Sequence, residues 1–183
     1  GVAMVPVTTD HCVALQDYKP EVAVTIGDGI RVPGCTPTSP FVTEDVLIDM
    51  YEEFGVVVEK KDLNVLGFIE ERAPLAIATK RSKSRHALVV RVDVGVTAKT
   101  LRTKCRDGGE ESEGELLFAE LNSGKILAPM KRGKRVKWSG EFNAGSLLSL
   151  LMVAESKRGA ANARLRTGVW YYYITLFRYK YFK

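Results

Sequence analysis

Ala87-Leu88-Val89-Val90-Arg91-Val92-Asp93-Val94 is the stretch that decides the fold class. Leu88, Val90, Val92 and Val94 alternate with Val89, Arg91 and Asp93, which is the period of two of a β-strand with one apolar and one mixed face. Working outward, Val2 to Val7, Glu21 to Ile26, Val56 to Glu59, Val65 to Ile69 and Leu75 to Ala78 also read as strands. Glu115 to Leu121 and Lys125 to Met130 form a predicted hairpin around Asn122-Ser123-Gly124. Arg164 to Lys183 reads as a long aromatic strand. Two helices stand out. Thr43 is the expected cap of one in which Val46, Leu47, Met50, Tyr51 and Phe54 share a face and which Gly55 ends. Ser139 to Ala154 is the other. A shorter helix is predicted through Cys12, Val13, Ala14 and Leu15, capped by Thr9 and Asp10. Val32 to Pro40 reads as a linker and Asp107 to Gly114 as a polar loop. Strands and helices do not alternate as in a doubly wound sheet, so the class is α+β.

The chain has 183 residues, 45% of them hydrophobic, enough for one domain with a real core. The segment 21–78 carries one amphipathic helix. Three separated cysteines (Cys12, Cys35, Cys105) without a CxxC argue for reduced thiols, not a disulfide framework. His11-Cys12 lacks the second ligand pair a zinc site needs. No apolar run reaches membrane-spanning length. Walker loops, Ser-centred elbows and HExxH are absent, and Gly27-Asp28-Gly29 lacks the spacing of a dinucleotide site. Hence no catalytic residue, metal or cofactor is expected.

Charge is the informative property. The net is +5, but acids dominate from Glu44 to Asp62 and bases from Lys80 to Arg106. Five of the seven residues from Lys131 to Lys137 are cationic, a density that a polyanion would offset. On a strand, Lys83, Arg85 and Arg91 line one side, and Arg102, Lys104 and Arg106 repeat the pattern. Lys131, Arg132, Lys134, Arg135 and Lys137 add a third basic segment. Adjoining strands of this kind would make a positive sheet face that tracks phosphates with little sequence preference. The aromatics near Trp170 fit core or subunit contacts better than base stacking.

Lys83-Ser84-Arg85-His86-Ala87-Leu88-Val89-Val90 resembles the Whirly strand that reads Lys-Gly-Lys-Ala-Ala-Leu-Ser-Val. Glu115 to Leu121 is similar to that family's third strand. Lys131 to Trp138, followed by Ala144-Gly145-Ser146-Leu147-Leu148-Ser149-Leu150, resembles its fourth strand and helix, and Gly168 to Phe177 a later tyrosine-bearing strand. Val2 to Thr8 and Cys12 to Leu15 resemble the family's last strand and helix, so the order is rotated. The segment 21–78 has no counterpart. Ser84 departs from the family's glycine. The arginine content is closer to the kinetoplastid mitochondrial RNA-binding proteins, which share the Whirly fold.

The resemblance implies two four-stranded antiparallel sheets packed with helices in a single domain. It implies a non-enzymatic protein of the mitochondrial (kinetoplast) matrix that binds guide RNA through its phosphates. Annealing to pre-edited mRNA and a heterotetramer with a homologous subunit are expected, without membrane association. Leu147, Leu148 and Leu151 would pack the helix. An organellar single-stranded-DNA protein, a viral coat-type protein and a plain interaction module are the alternatives.

Overall fold

The computed structural model describes residues 1–18, 30–71, 85–108, 114–122, 125–137, 142, 144–156 and 164–165. Among them, β1 (Val2–Val7), β2 (Cys12–Tyr18), β3 (Ile30–Arg31) and β4 (Gly34–Cys35) lead to helix α1 (Val42–Phe54). A 3-10 turn (Lys60–Asp62), β5 (Leu63–Glu71) and β6 (Arg85–Asp93) lead to α2 (Ala98–Gly108). Then come β7 (Gly114–Asn122), β8 (Lys125–Leu127), β9 (Met130–Lys131), β10 (Lys134–Arg135), α3 (Ala144–Ser156) and β11 (Arg164–Leu165).

The α+β class holds, and among the described residues the strands form one large sheet instead of the expected two four-stranded antiparallel ones. One nine-stranded sheet runs β11-β8-β7-β2-β1-β6-β5, with β3 on β2 and β4 on β1; β9 and β10 form a separate two-stranded ribbon. The sheet is mixed: β1 pairs in parallel with β6, Val2 opposite Leu88 through Val7 opposite Asp93, while β6 is antiparallel to β5 and β2 to β7. Pro6 has no N–H to give to a neighbour, and β1 meets β2 at the single register position Val7↔Val13.

Side chains alternate cleanly between two cores. Val5, Val7, Val13, Leu15, Val89, Leu117 and Ala119 pack under Leu147, Leu150 and Leu151 of α3. Val2, Met4, Ala14, Val90, Val92 and Leu116 pack under Val46, Met50 and Phe54 of α1 and Leu101 and Cys105 of α2. The sheet is therefore covered on both faces, by α3 on one and by α1 and α2 on the other. Leu147 and Leu151 are buried, as the helix reading requires.

Several local expectations are corrected. Cys12 to Leu15 is strand β2, because Val13 and Leu15 serve one core while Ala14 serves the other. The turn before it is held by Thr8, whose Oγ1 accepts from Cys12 N at 3.0 Å, with His11 at φ 60. Val32 to Pro40 is more than a linker, since it contains β4 and the buried Val32 and Cys35. The α1 cap position is Phe41, without a side-chain cap, although Gly55 does end the helix at φ 62. Tyr51 faces solvent instead of sharing the core face. Val56 to Glu59 forms no strand, while Val56 and Val58 are buried. Expected strands at Glu21–Ile26 and Leu75–Ala78, and the aromatic run after Leu165, lie outside the described residues. No helix among the described residues is long and apolar enough to cross a membrane.

Candidate nucleic-acid interface

The basic residues separate into two places. Arg102, Lys104 and Arg106 lie on helix α2, not on a strand. The run Ala98 to Gly108 contains no proline, and its Leu101 and Cys105, four apart, are the pair that faces the core. Asp10, from the β1–β2 turn, accepts the α2 backbone N–H of Ala98 at 2.9 Å. A hydrogen bond from Thr8 is the main cause that holds the Asp10 carboxyl below its usual range; burial opposes it, and this backbone N–H adds to the lowering. Lys104 is exposed. The Arg102 guanidinium lies 5.0 Å from the Phe118 ring centroid, a cation–π geometry.

The second place is the β9–β10 hairpin. Lys131 and Lys134 pair directly across it. Like charges opposite one another are destabilising, and Lys131 is offset by an ion pair with Asp17 of β2. Arg132 and Gly133 form the two-residue turn with φ 49 and 76. Positive φ at both central residues is the type I′ geometry, which favours Asn-Gly. An arginine there is strained by about 1 kcal/mol. Arg135 donates from Nη1 to the Ala128 carbonyl at 2.6 Å. Arg132, Lys134 and Lys137 are exposed and have no ion pair among the described residues.

Among the described residues the single positive sheet face therefore does not form. Arg91 is committed to Asp93, with Nη2 at 2.6 Å and Nε at 3.0 Å from Oδ1. Its neighbour Val89 is buried beneath α3. Arg85 opens β6, and Lys83 lies outside the described residues. Helix α2 belongs to one covering layer, whereas Ala128 and Val136, which flank the hairpin, belong to the opposite core. What the structure does gather is the hairpin cluster of Arg132, Lys134 and Lys137, braced by Lys131 and Arg135.

A polar cluster that the sequence reading passed over lies beneath α1. Gln16 is 1% exposed; its Nε2 donates to Glu53 Oε2 at 3.0 Å while its Oε1 has no partner among the described residues. Cys105 Sγ donates to the Glu53 carbonyl at 3.3 Å. Burial, and then the Asp49 carboxylate, push the Cys35 thiol up to about 12. Glu53 falls in the acidic stretch from Glu44 to Asp62 and has no distinguishing neighbour there; the available signal was Gln16 interrupting an apolar run. Among the described residues no group of three or more His, Cys, Asp or Glu is arranged to hold a metal ion. The chain matches no protein-family model and no curated protein sequence.

Proposed function

We propose that this chain binds single-stranded RNA through the phosphate contacts of its β9–β10 hairpin. The observation that carries the reading is Arg132, held exposed at φ 49 at the tip of a cationic turn. A strained non-glycine residue persists where surrounding structure fixes it, and such positions cluster at functional sites. Arg132, Lys134 and Lys137 supply charge but no base-edge geometry, so binding is sequence-tolerant. The resemblance to kinetoplastid RNA-binding proteins extends the reading to guide RNA, its annealing to pre-edited mRNA, a homologous partner subunit and the mitochondrial matrix. The mixed sheet does not reproduce the paired sheets of that resemblance, so the RNA reading rests on the hairpin.

Fluorescence anisotropy with a labelled single-stranded RNA and a DNA of the same sequence tests it. Three phosphate contacts give an affinity loss of about 20-fold between 50 and 200 mM salt. Arg132→Glu with Lys134→Glu removes most of that dependence. Affinity indifferent to salt overturns the proposal, and equal or tighter DNA binding favours the organellar single-stranded-DNA alternative.

A second reading is favoured by Gln16. Its unpaired acceptor beside Glu53 suits a small cationic or hydrogen-bond-donating ligand under α1. A thermal-shift series with magnesium, manganese and spermidine tests it: a rise in Tm abolished by Glu53→Gln, but not by the hairpin variant, supports this site.

A further inference from the structure

Helix α1 has two apolar stripes. Val46, Met50 and Phe54, spaced by four, are fully buried in the core. On the opposite side Phe41, Ile48 and Tyr51 are 62%, 54% and 61% exposed. A spacing of three places Ile48 and Tyr51 on one helical face, with Phe41 at the cap position just before it, and Glu44 and Glu52 are also exposed. Glu44 is shared with Lys60 at 3.4 Å, while Glu52 has no partner among the described residues. An amphipathic helix normally turns its second face to water with polar residues only. An apolar stripe rimmed by carboxylates is instead the mark of a docking surface.

The chain carries the complement of that surface. The β9–β10 hairpin presents Met130, 50% exposed, beside Arg132, Lys134 and Lys137. It offers one apolar side chain within cationic surroundings, where α1 offers apolar side chains within anionic ones. The two cannot meet within one molecule, because α1 packs on one core and the segments flanking the hairpin pack on the other, with the sheet between them.

We propose that the exposed face of α1 docks the β9–β10 hairpin of a second copy of this chain. The partner's hairpin would seat Met130 against Ile48 and Tyr51 and bring Arg132 and Lys134 to Glu44 and Glu52. Electrostatic matching of this kind gives specificity and salt dependence. Because the docked surface is the one assigned to RNA, the polynucleotide and the second copy compete, and self-association stores the protein in a form that RNA releases.

Analytical ultracentrifugation of the full chain with two charge-reversed variants tests this. One variant is Glu44→Lys with Glu52→Lys; the other is Arg132→Glu with Lys134→Glu. The parent associates at about 100 μM in low salt, as a small interface requires, and dissociates as salt rises. Each variant alone self-associates at least tenfold more weakly. Mixed in equal amounts they form a one-to-one complex, since a basic α1 then faces an acidic hairpin. Ile48→Ser with Tyr51→Ser weakens association while leaving its salt dependence in place. A monomeric parent, an α1 variant that associates like the parent, or a mixture that stays monomeric overturns the proposal. RNA binding separates the two ideas: the α1 variant keeps it, and the hairpin variant loses it. A hairpin variant that still binds RNA refutes the RNA reading without touching the result on self-association.

Discussion

The Lys131 ammonium is ion-paired with the Asp17 carboxylate, tying the basic hairpin to the second strand of the sheet. Both side chains are less than one third exposed, so the pair is better shielded than an ordinary surface bridge. Asp17→Asn should lower stability by about 1 kcal/mol in urea unfolding. It also frees a cation, so the slope of log affinity against log salt for single-stranded RNA should steepen by about 0.7, the value of one added contact. An unchanged slope would show that Lys131 does not reach phosphate.

Arg132 sets stability against binding. Arg132→Gly relieves a left-handed arginine and should raise stability by about 0.5 to 1 kcal/mol, even though glycine loosens the unfolded chain. The same substitution should weaken RNA binding by about tenfold, the share of one charge-assisted contact of about 1.5 kcal/mol. Chemical denaturation and anisotropy on one preparation read both. A variant both less stable and equally competent in binding would place Arg132 in a purely structural role.

Acid should loosen the start of α1. Burial disfavours the Asp45 charge, but hydrogen bonds from Thr38 Oγ1 and from Ser39 N and Oγ outweigh it and hold the carboxyl below its usual 3.8. A carboxyl depressed on folding contributes its stability above the unfolded value and loses it as pH falls through the folded one. Tm should therefore fall more steeply below about pH 4 in the parent than in Asp45→Asn. Parallel pH profiles would remove Asp45 as a cause.

Thiol labelling should follow burial. With its thiol at about 12, Cys35 at pH 8 is thiolate in about one part in ten thousand. Cys105 is buried in the same core. Burial, and then the Asp10 charge, also raise Cys12, which is only partly buried. A maleimide pulse on the native protein should mark Cys12 slowly and leave the other two, while all three react in urea. Early labelling of Cys35 would contradict the packing of β4 beneath α1.

Period-two patterning made β1, β6 and the β7–β8 hairpin legible, because their apolar residues answer to flat cores on either side. Helix α3 was legible for a related reason, an apolar stretch that only a buried helix absorbs. Helix α2 was not. Its alternating Arg102, Lys104 and Arg106 look like a strand when charge is read instead of the Leu101–Cys105 spacing. Strand β2 was mistaken because Thr9 and Asp10 are good helix caps, and Asp10 does cap a helix, but α2 rather than the residues that follow it. The candidate site was half visible: composition marked the hairpin, but not that a covered sheet would divide the cations between two layers.

The parallel join between β1 and β6 has a consequence for synthesis. Val2 to Val7 is an apolar segment that β2 and β4 cover on one edge, but the neighbour on its other edge is not made until residues 85–93 leave the ribosome. During that interval its open edge can recruit the same segment from nearby chains. Nascent polypeptides halted before Arg85 thus carry a bare strand edge, the kind of surface that chaperone capture shields.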